Sequence, residues 1–132
     1  MSKKSILCFL LCLSFLWVTA QKKTNIIGGK KDRHGCIKAA GYQWSEIQQS
    51  CIRSFELPVQ LLNDTKTWSA SFLLDQSQNT AEVFCRHGRF ILTKNENGEF
   101  YFQKRRHKLL LFKKDNLWTL KYDDEVYLGY LN

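Results

Sequence analysis

Hydrophobic and polar residues alternate along the chain from about residue 67. A period of two places alternate side chains on opposite faces of a β-strand, so the pattern predicts strands with one buried and one wet face. A polar turn at 75–79 separates the first two strands. Their apolar positions are Trp68, Ala70, Phe72 and Leu74, followed by Ala81, Val83 and Cys85.

Further turn signals divide the rest of the chain into short strands. Asn97-Gly98 is the strongest hairpin signal, because a type I′ turn needs positive φ at both central positions. Asp115-Asn116 and Asp123-Asp124 are weaker turn candidates. The strands between these turns are expected at 90–94, 109–112, 117–122 and 126–130. Seven or so short strands with no helical window among them predict a mainly β (α+β) fold, either a small antiparallel barrel or a curled meander.

One short helix is expected before these strands. Ser45-x-x-Gln48 has the form of a capping box, in which each side chain bonds to the other residue's backbone amide. Ile47, Cys51 and Phe55 follow at intervals of four, the spacing of one helical face. The sequence therefore predicts a helix that begins at Ser45 and ends by Pro58, with Cys51 on its buried side.

The amino-terminal segment is typical of a secretory leader. Lys3 and Lys4 precede an apolar run over 6–18, and small or tolerated residues at 18–20 suit a signal peptidase. The run is shorter than the roughly 20 residues of a membrane-spanning helix. We therefore expect a signal peptide over 1–20, a single exported domain over 21–132, and no transmembrane segment in the mature chain.

Export changes the charge and the cysteine count. The whole chain has 20 Lys and Arg and 12 Asp and Glu, a net charge of +8, which falls to +6 without the two leader lysines. Cys8 and Cys12 leave with the leader. Cys36 and Cys51 are expected to form a disulfide, whose loop of roughly 15 residues corresponds to about 3 kcal/mol of stabilisation. Cys85 is then left as a buried free thiol, or as the site of an intermolecular disulfide.

Few residue patterns in the chain suggest catalysis or metal binding. Two histidines and two cysteines, in His34-x-Cys36 and Cys85-x-His87, supply a conceivable tetrahedral metal set, but metal ligation would compete with the disulfide. A nucleophile built on Cys85 has no better support, and neither a hydrolase motif nor a glycine-rich phosphate loop is present. We expect no enzymatic activity, no metal and no cofactor.

The densest cationic run follows the Asn97-Gly98 hairpin and consists of Lys104, Arg105, Arg106, His107 and Lys108. Between two strands this run would form a cationic hairpin tip, which favours anionic partners such as lipopolysaccharide, teichoic acid or another envelope glycan. The alternative is a solvated edge that discourages aggregation. Because the chain is exported, we do not expect a nucleic-acid partner.

Two segments, "AEVFCRHGRFILTKNENGEFYF" and "LWTLKYDDEVYLGY", resemble the strand order of the membrane-bound and periplasmic bacterial inhibitors of c-type lysozyme. The first family motif, Ser-Gly-x-x-Tyr, is mirrored by Asn97, Gly98 and Tyr101, and the second, Trp-x-Lys-Gly-Asp, by Trp118, Lys121 and Asp123. The resemblance implies a small antiparallel barrel whose loops enter the lysozyme cleft. The front half is similar to small exported bacterial proteins of unassigned function.

These observations give one leading expectation and two alternatives. The leading expectation is a secreted or periplasmic bacterial protein that plugs the cleft of a c-type lysozyme through Asn97, Gly98, Tyr101, Lys121 and Asp123. The first alternative is a basic module that binds an anionic envelope polymer through Lys104, Arg105, Arg106 and Lys108. The second is an envelope adaptor that contacts another polypeptide through Cys85 or an open sheet edge.

Overall fold

A computed structural model describes residues 29–129, which form ten β-strands and two single-turn 3-10 helices. The expected signal peptide, with Cys8 and Cys12, lies outside these residues. The 3-10 turns are Lys38–Ala40 and Ser54–Glu56. The strands are β1 Tyr42–Ser45, β2 Ser50–Arg53, β3 Gln60–Asn63, β4 Ser69–Leu74, β5 Thr80–Cys85, β6 Gly88–Lys94, β7 Phe100–Lys104, β8 His107–Lys114, β9 Leu117–Tyr122 and β10 Glu125–Gly129.

Strands β3 to β10 form a closed antiparallel barrel. Each strand pairs with the next along the chain, and β10 returns to pair with β3, where Gly129 lies opposite Leu61. The structure thus confirms the mainly β class and selects the barrel over the open meander. Strand β3, which the alternation pattern did not predict, supplies the pairing that closes the wall.

Inward-facing side chains fill the barrel, as expected for eight strands. The alternation along β4 and β5 places Ala70 and Phe72, then Ala81 and Val83, toward the inside. The buried core residues are Leu61, Ala70, Phe72, Ala81, Val83, Leu92, Phe100, Leu109, Leu111, Leu120, Tyr122 and Tyr127. Because side chains occupy the interior, the ends and the outer wall are the surfaces left for recognition.

The expected helix from Ser45 is wrong. Strands β1 and β2 form a hairpin there, with Trp44 paired to Cys51 and Ser45 to Ser50. The Ser45 hydroxyl does accept from the Gln48 backbone amide at 3.0 Å, so half of the capping-box interaction exists, but within a hairpin turn. That turn ends at Gln49, whose φ of 52° lies in the left-handed region and interrupts a helical path.

This hairpin belongs to an amino-terminal layer over residues 29–57, held by the expected Cys36–Cys51 disulfide. The layer contacts the outer face of the barrel at the centre of β5. There the Glu82 carboxylate accepts from the Ser45 hydroxyl at 2.6 Å and from the backbone amides of Glu46 and Ile47 at 2.9 and 3.1 Å. Glu82 is completely buried as a result.

Two turns show how local sequence sets the hairpins. Asp115 and Asn116 both have positive φ, as a two-residue type I′ turn requires. The Asn97-Gly98 hairpin forms as expected, but with a longer turn between β6 and β7. Of its residues only Gly98 has positive φ, at 81°, so the turn is not of type I′.

Candidate functional site

Alternate turns of an up-and-down barrel lie at the same end, and four of them meet at what we call the Arg86 end. These are the turns β3–β4, β5–β6, β7–β8 and β9–β10, and they bring together residues distant in sequence. The opposite end, called the Asn97 end, carries the turns β4–β5, β6–β7 and β8–β9.

The predicted cationic run forms the tip of the β7–β8 hairpin at the Arg86 end. Lys104, Arg105, Arg106 and Lys108 are all exposed. Among residues 29–129, none of these four side chains takes part in an ion pair. The structure therefore presents four cations on one hairpin with their charges available to a ligand.

The cationic tip is fixed to the neighbouring β9–β10 turn. The Lys108 backbone amide donates to the Asp123 carboxylate at 2.9 Å, and the Asp123 amide donates to the Lys108 carbonyl at the same distance. Asp123 therefore fixes the hairpin by bonding to the backbone of Lys108. These reciprocal bonds limit the freedom of the tip relative to the barrel.

A polar network surrounds Glu125 on the inner side of the β9–β10 turn. The buried Tyr127 hydroxyl donates to Glu125 at 2.7 Å, Arg86 pairs with it, and His87 Nε2 lies 3.3 Å away. The Tyr127 hydrogen bond, followed by those from Arg86 and His87, lowers the pKa of Glu125 to about 2. Burial, together with its bond to Glu125, raises the pKa of Tyr127 to about 12. Glu125 is thus a fixed negative charge that orients Arg86.

Aromatic rings cover the core beside this network. The His87 ring stacks on Tyr122 with centroids 4.0 Å apart, and the Tyr122 hydroxyl contacts His107 Nδ1. The ring centroids of Phe90 and Tyr122 are 5.8 Å apart. Burial raises the pKa of Tyr122 above the ordinary value for tyrosine.

Between the β3–β4 and β9–β10 turns lies an open cavity of about 410 Å³. The exposed indole of Trp68 forms one wall, and the Arg86 guanidinium carbon lies 5.1 Å from its ring centroid. The sequence pattern assigned Trp68 to the buried face of a strand. It is 45% exposed instead, because β4 begins one residue later. The polar lining includes Asn63, Asp64, Asp124 and Glu125.

A second cleft, of about 500 Å³, lies in the amino-terminal layer. Its wall includes His34 stacked on Trp44, with ring centroids 4.6 Å apart, and the cations Arg33, Lys38 and Arg89. Arg89 is already paired with Glu46 and Glu82. This cleft therefore offers fewer available cations than the β7–β8 tip.

Cys85 and Cys36 bear on the expected thiol and metal chemistry. Within the described residues Cys85 forms no disulfide, and burial raises the pKa of its thiol, which opposes a role as a thiolate nucleophile. Cys36 is bonded to Cys51, so it is not available as a thiolate ligand for the conceivable His34–Cys36–Cys85–His87 metal set.

The five residues suggested by the lysozyme-inhibitor resemblance do not converge on one site. Asn97 and Gly98 lie at the Asn97 end, and Asp123 lies at the Arg86 end. Tyr101 and Lys121 are exposed on the outer wall, where each pairs with Leu110 from opposite sides.

Comparisons of the chain with family models, curated proteins and solved structures find no match. In the part of the chain that the structure describes, no helix has the length and hydrophobicity needed to cross a membrane.

Proposed function

We propose that the protein is an exported, non-enzymatic binding protein that holds an anionic envelope polymer against the Arg86 end of its barrel. The observation that carries this proposal is the β7–β8 tip, where four exposed cations lie together without acidic partners among the described residues. A disulfide favours an oxidising compartment, where such polymers are found.

The arrangement suits a polymer better than a small metabolite. Exposed cations gain little from a single ion pair in water, typically less than 1 kcal/mol, so useful affinity requires several contacts at once. The tip offers four charges on a hairpin fixed by Lys108 and Asp123, which lowers the entropy lost on binding. A polyanion engages the four charges together and gains from their combined field.

Replacing Lys104, Arg105 and Arg106 together by glutamine is expected to weaken binding of the mature chain to inorganic polyphosphate about tenfold. The estimate takes about 0.5 kcal/mol for each lost contact. Biolayer interferometry at low ionic strength measures the change, and added salt should weaken the wild-type complex because it screens exposed charges.

The matched control for this experiment removes the same charge from the other end of the barrel. Lys94, Lys113 and Lys114 are exposed there and are replaced by glutamine together. This variant should retain most of the polyphosphate binding. If both triple variants lose polyphosphate binding equally, the net charge of the protein and not a site at the Arg86 end determines the affinity.

Inhibition of a c-type lysozyme is a second candidate function, favoured by the rigid turn that presents Asn97. The Asn95 side chain accepts from the backbone amides of Asn97 and Glu99 at 3.0 and 2.9 Å. These bonds hold the backbone of the turn while the Asn97 side chain is exposed, so its amide is available to a carboxylate in an enzyme cleft.

If this second candidate is right, stoichiometric mature protein should slow hydrolysis of bacterial cell walls by a c-type lysozyme. Asn97→Ala should relieve most of the inhibition, since it removes the presented amide. Asn79→Ala, at an exposed position of the same barrel end, is the matched control and should inhibit like the wild type. Unchanged hydrolysis in excess wild-type protein would exclude the inhibitor function.

A further inference from the structure

The cavity beside Trp68 has the composition of a sugar-binding subsite. An exposed indole offers a flat apolar face that can pack against the C–H face of a pyranose ring. The carboxylates around it can accept hydrogen bonds from sugar hydroxyls, and the amide nitrogen can donate one to a hydroxyl oxygen. We propose that this cavity binds an uncharged sugar residue of the polymer held by the β7–β8 tip, an inference that rests on the proposed function.

Trp68 is held in place before any ligand binds. Its backbone amide donates to the Asn63 side-chain carbonyl at 2.9 Å, and its own carbonyl accepts from the Asn63 amide at 3.1 Å. Arg86, oriented by Glu125, lies over one face of the indole, so a sugar would pack against the opposite face. A residue whose backbone is fixed in this way loses less conformational entropy when a sugar packs against its ring.

The charges in the cavity favour an uncharged sugar over a uronate. Asp64 and Asp124 line it and form no ion pair within residues 29–129, whereas the positive charge of Arg86 is already paired with Glu125. A ligand carboxylate placed here would meet two unpaired negative charges. Hydroxyl groups instead donate to those carboxylates, so neutral residues of the polymer suit this position.

The β9–β10 turn links the cavity to the cationic tip. Asp123 is hydrogen-bonded to Lys108 of the tip, and its neighbour Asp124 lines the cavity. A chain that crosses this turn places one residue near Trp68 and an anionic group near Lys108. A glycan in which charged and uncharged sugars alternate fits both positions.

The test uses hyaluronan, in which uronate and uncharged sugars alternate, and polyphosphate, which contains no sugar. Trp68→Ala should weaken hyaluronan binding about tenfold, the size expected for one lost aromatic packing contact, and leave polyphosphate binding unchanged. Trp68→Phe, which keeps a ring, should lose less. Phe55→Ala removes another exposed aromatic side chain, in the amino-terminal layer, and should bind both polymers like the wild type.

The two polymers separate failure of this inference from failure of the proposed function. If the wild-type protein binds polyphosphate but not hyaluronan, the sugar subsite alone is wrong. The same conclusion follows if Trp68→Ala binds both polymers like the wild type, or if its binding to both polymers falls equally. If the Lys104, Arg105 and Arg106 variant keeps its polyphosphate binding, the proposed function itself is wrong. Unchanged polyphosphate binding by Trp68→Ala also shows that this variant is folded.

Discussion

Replacing Glu82 by glutamine should lower the free energy of unfolding by about 3 kcal/mol, the low end of the range for breaking a buried ion pair, because Arg89 is partly exposed and also pairs with Glu46. Glu82 is fully buried and accepts from the Ser45 hydroxyl and from two backbone amides. It also accepts from Arg89 at 3.1 Å. Glutamine has nearly the same shape, but its amide nitrogen would face donors and leave Arg89 without part of its charge compensation.

Urea unfolding of the oxidised mature chain measures this loss. Hydrogen exchange at the Glu46 and Ile47 amides, which donate to Glu82, should accelerate in the variant. Glu96→Gln is the matched control, because Glu96 is exposed in the β6–β7 turn and should cost almost nothing. Equal stability of the two variants would show that Glu82 does not hold the amino-terminal layer to the barrel.

Removing the disulfide by Cys36→Ala and Cys51→Ala should produce a loss of similar size, about 3 kcal/mol for a bond that closes a loop of this length. The two cysteines are 15 residues apart in sequence, and in the hairpin Cys51 lies opposite Trp44. The layer contains few buried apolar side chains of its own, chiefly Cys36 and Ile52. Its order therefore depends strongly on the covalent bond.

Thermal and urea unfolding with and without dithiothreitol check the disulfide prediction. Reductant should lower the stability of the wild type toward that of the double variant and leave the variant unchanged. Cys85→Ala is the control for thiol chemistry elsewhere, and its stability should still fall when reductant is added. A double variant as stable as the oxidised wild type would contradict the prediction.

Most of the barrel could be predicted from the sequence because its strands and turns are determined by short stretches of neighbouring residues. Alternation sets which face of each strand is buried, and turn residues such as Asp115 and Asn116 set where each strand ends. The predicted amino-terminal helix was wrong because the same hydrogen bond, from the Gln48 backbone amide to the Ser45 hydroxyl, can cap a helix or stabilise a hairpin turn. The pairing of β1 with β2 and the contacts with the Glu82 carboxylate favour the hairpin over the helix. The pattern of residues 45–48 reveals neither of these contacts.

Glu82 was missed for a related reason. Alternation places it on the outward face of β5, where a glutamate normally meets water. Phe84, two residues later on the same face, is also buried and is the one local sign that something covers that face. Which segment covers it depends on the tertiary fold.

The candidate site divides in the same way. The cations from Lys104 to Lys108 are contiguous and were visible in the sequence, although their lack of acidic partners was not. The Trp68 cavity is assembled from the turns that carry Asp64, Arg86 and Asp124, which are far apart along the chain. These turns come together because alternate turns of the barrel lie at the same end and because the barrel closes. A single sequence does not specify the closure.

The pairing of β10 with β3 has a consequence for association with other chains. The wall built from residues 60–129 closes on itself, so each of its strands has a paired neighbour on both sides and none is an edge strand. Another polypeptide therefore finds no full-length free edge for strand addition in this sheet, whose shortest antiparallel pairing, between β6 and β7, joins Thr93 to Tyr101 and Lys94 to Phe100. Recognition then falls to side chains on the turns and the outer wall, and those on the turns can change without disturbing the hydrogen-bonded wall beneath them.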